Sequence, residues 1–149
     1  MFAPLVIACQ PAATTSDSPS SGTPVPAAEA ASAAPLAGTR WQLVALASGP
    51  LAADLAAEFR PHLRFSAADS GRVNGLSGCN LFGGTYTQTA PDALAFGDLL
   101  STRMACPELG LEGNFLAAMA SVTRYRLAAD TLHLYPADAA MPAATFRAR

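Results

Sequence analysis

From Leu36 onward, apolar and polar side chains alternate in short runs. Thr39 to Leu46 sets Trp41, Leu43 and Ala45 on one face, the period of a strand with one buried side. His62 to Ser66 turns Leu63 and Phe65 inward, and an Asp69-Ser70-Gly71 turn leads into Arg72-Val73-Asn74. Gly84 to Gln88 and Ala93 to Phe96 flank an Ala90-Pro91-Asp92 turn. Arg124 to Leu127 and Thr131 to Tyr135 are joined through Ala128-Ala129-Asp130, and Thr145 to Arg147 closes the pattern. Both histidines, His62 and His133, fall at solvent-facing positions of their strands. About seven or eight short strands with tight connections predict a mainly β domain, an antiparallel and strongly curved sheet or small barrel.

Two stretches break this period. Leu111, Phe115, Met119 and Val122 recur at helical spacing, with Leu116 beside them and Ala117, Ala118 and Ala120 supplying propensity. Glu112 falls in the first turn, where the helix dipole favours negative charge. This helix is expected to lay its stripe across the open side of the sheet. Leu51 to Phe59, reading LAADLAAEF, is a second helical candidate, ended by Pro61.

Before Leu36 the pattern vanishes. Gln10 to Pro35 holds eight Ala, five Pro, five Ser and three Thr, with Val25 its one bulky aliphatic. Such a segment buries too little surface to offset its ordering entropy, which predicts a flexible tether. The chain therefore divides into residues 1–9, a tether at 10–35 and one domain at 36–149.

Composition changes this picture in one respect. Hydrophobic residues reach 51%, but 34 alanines supply nearly half of them, leaving an ordinary share of large apolar groups. All nine basic residues are arginine, against eleven acids, a net charge of −2. Asp17 and Glu29 lie in the tether, so the domain is neutral and carries no basic stripe of the kind that binds nucleic acid. No apolar run approaches the ~18–20 residues that cross a bilayer. Three cysteines are too few for a scaffold built from disulfides.

The first residues, MFAPLVIA, end in a small residue before Cys9. Val6-Ile7-Ala8-Cys9 resembles the lipobox of bacterial lipoproteins, in which cleavage precedes a cysteine that becomes lipidated. The resemblance implies a domain anchored through acyl chains on Cys9 and tethered into the aqueous envelope. Eight uncharged residues before Cys9 fall short of a charged segment plus roughly 7–15 apolar residues, so the natural start is expected upstream of Met1. The alternative is an apolar N-terminus by chance. Enterobacterial lipoproteins with Asp after the cysteine stay in the inner membrane; Gln10 in that place points to the outer membrane, facing the periplasm.

Two further stretches stand out: Gly75-Leu76-Ser77-Gly78-Cys79-Asn80-Leu81-Phe82-Gly83-Gly84-Thr85-Tyr86, and Ser101-Thr102-Arg103-Met104-Ala105-Cys106. Together they closely resemble the META (HslJ-like) domain family, with its G-x-x-G-C-N-x-x-x-G-x-Y and T-x-M-A-C runs. Trp41 in the first strand and the closing Asp130 to Leu134 hairpin extend the resemblance over Leu36 to Arg149. It implies a small antiparallel β-barrel-like roll with one helix packed on it. It also implies an envelope lipoprotein with a heat-shock or other stress-response role, and it brings no enzymatic activity. Gly75, Gly78, Gly83 and Gly84 are expected to permit positive φ and close backbone approach. Asn80 would bond local backbone groups, and Tyr86 and Trp41 would be core aromatics with a polar tip at the edge. With Cys9 lipidated, an oxidising compartment favours a Cys79–Cys106 disulfide, closing a loop of about 28 residues and contributing roughly 3–4 kcal/mol. The alternative is a pair of buried free thiols.

Other chemistry finds little support. Gly75-Leu76-Ser77-Gly78-Cys79 grazes the nucleophile elbow G-x-S-x-G but ends in Cys and lacks the strand-turn-helix context. Cys79 or Cys106 with His62 or His133 has the types of a thiol enzyme without its spacing. Two isolated histidines are weak metal ligands, and Asp98, Glu108 and Glu112 read as solvated carboxylates. Arg103, between Thr102 and Met104 on a loop tied by Cys106, is the candidate partner contact, although an exposed or locally paired arginine is the blander account. The expectation is a non-enzymatic, monomeric, lipid-anchored envelope protein, without cofactor, metal or nucleic acid, serving stress response or envelope maintenance. Its partners would be the membrane and an envelope protein. The alternative is a periplasmic binding module, either an enzyme inhibitor or a small-ligand carrier with an apolar cavity at the barrel mouth.

Overall fold

The computed structural model describes residues 33–68 and 71–149. Cys9, the tether as far as Ser32, and Asp69-Ser70 of the predicted turn lie outside the described residues. Nine strands form one antiparallel sheet: β1 (Arg40–Leu46), β2 (Gly49–Pro50), β3 (His62–Phe65), β4 (Arg72–Leu76), β5 (Leu81–Ala90), β6 (Ala93–Ser101), β7 (Val122–Ala128), β8 (Thr131–Pro136) and β9 (Ala144–Ala148). A helix, α1 (Leu109–Ala120), lies between β6 and β7. β1 pairs with β3 on one side and β9 on the other, so eight strands close into a barrel, with β2 a short flap on β1. Closure removes the free edges of the curved sheet expected from the sequence.

The alternating apolar positions fill the barrel. Trp41, Leu43, Leu63, Phe65, Val73, Leu94, Leu132, Leu134 and Phe146 are all buried on its inner side. Phe65 meets Tyr86 edge-on at 4.8 Å between centroids, and Phe115 of α1 meets Phe82 at 5.5 Å and Phe146 at 6.2 Å. Each such side chain contributes about 1.5–3 kcal/mol by leaving water. The Trp41 ring is enclosed, and its indole N–H donates to the Leu36 carbonyl at 2.9 Å.

Three expectations are corrected by tertiary contacts. The helix does not lie across an open side. It packs against β1, β6 and β9, capping the end where β1 stops and β9 begins. Phe115, Met119 and Val122 are buried as expected, but Glu112 rather than the half-buried Leu111 completes the inward face, and Val122 opens β7 instead of ending the helix. Leu51 to Phe59 forms one 3-10 turn at Ala57–Phe59 with no buried residue and no side-chain cap. A short helix nucleates at a cost that only a buried face offsets, and this segment has none. In β1 the pairing with β9 shifts between Leu43 and Ala45, which leaves Val44 as the extra residue and turns Leu46 rather than Ala45 onto the core.

The β6–β7 seam is thin. Ala93 opposite Arg124 is the only register pair there, supplemented by Tyr125 N–H to the Asp92 carbonyl at 2.8 Å. Gln88 also donates to the Tyr125 hydroxyl at 2.6 Å. Past the point where these strands part, the chain from Thr102 to Ala120 turns away to build the end cap. That cap includes the Thr102–Cys106 stretch and meets the β4–β5 turn of the other motif.

Candidate functional site

The turn between β4 and β5 and the loop between β6 and α1 meet around Asn80, which is 1% exposed. Its side-chain oxygen accepts from Met104 N–H at 2.7 Å and from the Thr102 hydroxyl at 3.0 Å. Its amide nitrogen donates to the Glu112 carboxylate at 2.8 Å and to the Met104 carbonyl at 3.3 Å. A main-chain N–H requires an acceptor and a carboxylate requires a donor, so the surroundings dictate the orientation of the amide. Its main-chain carbonyl accepts from both the amide and the hydroxyl of Ser77, at 2.9 and 2.8 Å. Thr102 completes the join, its hydroxyl accepting from Leu81 N–H at 3.2 Å and its own N–H donating to the Leu81 carbonyl at 2.9 Å.

The structure joins Cys79 to Cys106 across the same place, with Cα atoms 6.4 Å apart. Gly78, between Ser77 and Cys79, takes φ +132°, which a Cβ would strain. At Gly75 a Cβ would run into the His62 carbonyl of β3, and at Gly84 into that of Asp98 of β6, so these two serve close strand approach. Gly83 shows neither need, contrary to expectation: its φ is not positive and it has room for a methyl group.

The knot engages the side chains of Ser77, Asn80 and Thr102 and lies beside the Cys79–Cys106 bridge. Ser77 is fully enclosed and its hydroxyl is committed to a carbonyl, so the apparent nucleophile elbow is a turn lock. Met104 contributes its main chain while its side chain is 58% exposed. Glu112, read from sequence as a solvated first-turn carboxylate, is 7% exposed and bonded to Asn80. Its spacing of three from Phe115 and seven from Met119 was the available signal that it shares their face. Among the described residues no buried side-chain nitrogen or oxygen lacks a hydrogen-bond partner.

The other candidate groups are not brought together. His62 on β3 and His133 on β8 are half-buried and separated by β9 and β1. His133 contacts the Thr145 hydroxyl at 3.3 Å. The Arg40 guanidinium lies 3.3 Å from His62 Nδ1, and because arginine can only donate, that nitrogen accepts. Burial, then the charge of Arg40 and to a lesser degree of Arg64, holds His62 below the ordinary histidine value, opposed by a backbone hydrogen bond at Arg60. Asp98 is exposed on β6 and Glu108 precedes α1. Arg103 is exposed on the cap loop, without an ion pair or hydrogen bond among the described residues. No group of three or more His, Cys, Asp or Glu able to hold a metal ion occurs among the described residues. No helix among them is long and apolar enough to cross a membrane.

Aromatic side chains occupy the barrel interior. A cleft of about 540 Å³ lies instead outside it, between the C-terminal half of α1 and the connection from β8 to β9, lined by Leu46, Ala118, Met141 and Pro142 among others.

The comparisons with known proteins agree with this arrangement. The model of the META domain matches residues 34–148. The NMR structure of a protein from Burkholderia xenovorans superposes with a TM-score of 0.59 at 29% identity, covering 76% of this chain and 83% of that one. A second NMR structure superposes with a TM-score of 0.55 at 24% identity, covering 75% and 90%, and shares the fold. No curated protein matches the chain. The matched span takes in the entire barrel, both motif stretches and the helix that the Asn80 knot secures, and the chain belongs to the META domain family.

Proposed function

We propose that this protein is a non-enzymatic, lipid-anchored envelope protein that acts through the outer surface of its barrel in stress response or envelope maintenance. The observation that carries the non-enzymatic part is the Asn80 knot. The residue types that invited a catalytic reading, Ser77, Cys79, Cys106 and Glu112, are committed to one another or to backbone groups. A hydrolase or thiol enzyme needs a nucleophile within reach of a base, and Ser77 instead donates to a carbonyl inside the fold. The anchored part rests on the lipobox resemblance at Cys9.

The experiment is metabolic labelling of the full-length gene product with a palmitate analogue in a Gram-negative host, followed by fractionation and a high-salt wash. The expected result is label on the parent, none on Cys9→Ser, and wash-resistant membrane association of the parent alone. An unlabelled parent, or a Cys9→Ser variant that stays with membranes through the wash, refutes the anchor.

The second reading, a binding module, is favoured by the apolar cleft beside α1. The barrel mouth does not serve it, because Phe115, Met119, Phe82 and Phe146 pack into that end. An apolar dye that binds the parent but not a Met141→Asp variant would support this reading, and equal binding to both would overturn it.

A further inference from the structure

Sequence shows nine arginines scattered along the domain, but the register gathers several of them. Arg40 on β1 stands directly opposite Arg64 on β3. On the other side of β1, Arg149 follows β9 and its N–H donates to the Arg40 carbonyl, which sets the two side by side. Arg72 on β4 lies two residues from Asn74, the register partner of Arg64, and so stands diagonally next to Arg64. Their inward neighbours Trp41, Leu63, Phe65, Val73 and Phe146 are buried, whereas all four arginines are exposed on the outer face. Arg147 adjoins the row and holds the only ion pair among the described residues, to Asp130 at 3.4 Å.

Directly opposed side chains on neighbouring strands lie about 5 Å apart, and like charges so placed repel. The other described acids sit elsewhere: Asp54 and Glu58 before β3, Asp92 in the β5–β6 turn, Asp98 on β6, Glu108 and Glu112 at α1, and Asp138 after β8. A domain that is neutral overall thus carries an outward arginine row on β9, β1, β3 and β4.

We propose that this arginine row docks the barrel onto an anionic lipid surface, its guanidinium groups contacting headgroup phosphates. Four guanidinium groups spread over four neighbouring strands on the outside of the barrel, of which only Arg72 borders a hollow (about 410 Å³, toward β5), suit a plane of repeated phosphates better than one small anion. Guanidinium groups also match phosphate oxygens in paired hydrogen bonds. The chain enters at the edge of the row: Ala34 N–H donates to the Ala129 carbonyl, and Ala37 bridges Phe65, the neighbour of Arg64. For the membrane as the source of phosphate the proposal rests on the anchored reading above, and Ala34 and Ala37, among the first described residues, sit beside this side of the barrel.

The test uses the full chain carrying Cys9→Ser, so that acylation plays no part. Its sedimentation is measured with phosphatidylethanolamine vesicles that contain either phosphatidylglycerol or phosphatidylcholine. Binding to the phosphatidylglycerol vesicles alone, weakened by salt, is expected. Each arginine near an anionic bilayer contributes roughly five-fold in affinity, so adding Arg40→Gln and Arg64→Gln should lower binding by about 10- to 30-fold. Arg124→Gln, on β7, should leave it unchanged. Removing two mutually repelling charges should not lower the melting temperature of the double variant, which separates lost docking from lost folding. Equal sedimentation with both vesicle types, background sedimentation with both (the result for a row that serves an acidic protein), or an undiminished double variant overturns the proposal. The palmitate experiment can fail independently of this one, since vesicle binding needs no acyl chain.

Discussion

The cap around Asn80 and the arginine row of β9, β1, β3 and β4 hold much of the domain's polar chemistry, and they treat it in opposite ways. In the cap, polar groups are buried and each finds a partner: Asn80 with Thr102, Met104 and Glu112, Ser77 with a carbonyl, Cys79 with Cys106. On the row, Arg40, Arg64 and Arg72 stand exposed without a carboxylate among the described residues. A satisfied buried network stabilises and orients a fold, whereas unbalanced surface charge costs stability and is free to meet something outside. The motif stretches that mark the family thus build the molecule, and the scattered arginines are the surface it offers.

The largest effect should come from breaking the cap at its centre. Asn80→Ala removes four side-chain hydrogen bonds and leaves the Glu112 carboxylate buried without its partner, at an expected cost of about 3–5 kcal/mol. Urea unfolding measures it, and a cost below about 1 kcal/mol would remove Asn80 from the centre of the knot. A double Cys79→Ala, Cys106→Ala variant should lose roughly 3–4 kcal/mol on the chain-entropy model. Mass spectrometry after alkylation without reductant should find neither of these cysteines modified in the parent. Two alkylated thiols would show that the bridge is absent.

The row should respond with the opposite sign. Arg64→Gln separates Arg40 from a like charge and should raise stability by about 0.2–1 kcal/mol at low salt, with the gain fading as salt is added. A loss of stability would mean that Arg64 has a stabilising partner. The smallest effect concerns His62. Its proton affinity is lowered in the fold, so the unfolded chain takes up the proton more readily. Stability is therefore complete above the ordinary histidine value of 6.5 and falls as pH drops through that value toward the folded-state value. His62→Gln should flatten this slope in melting curves between neutral and mildly acid pH. The difference will be slight, because the ring is partly solvated.

The contrast also separates what could be read from one chain from what could not. Period-two alternation placed Trp41, Leu43, Leu63 and Phe65 correctly on the inner face, because burying one side of a strand imposes that pattern, and it failed at Ala45 where β1 bulges. The helix was legible for the same reason, except for the first residue of its inward face. Leu111 and Glu112 both fit a face containing Phe115 and Met119, and hydrophobicity favoured the wrong one. Glu112 belongs inside only because Asn80 awaits it from another loop. LAADLAAEF carries helical propensity, yet only Leu51 packs against the core and the turn at Ala57–Phe59 buries nothing.

By itself the sequence determined the family, a mainly β fold, the helix around Phe115 and Met119 and the inward side of β3 and of β1 as far as Leu43, since these follow from local periodicity and two long motifs. Only the tertiary structure decided that the sheet closes, that β1 bulges at Val44, and that the two motif stretches meet around one asparagine. It alone set Arg40 beside Arg64 and Arg149. The reason is common to all of these. Strand register and loop-to-loop contact join residues far apart in the chain, and the energies that choose between registers reside in packing across the barrel rather than in any single segment.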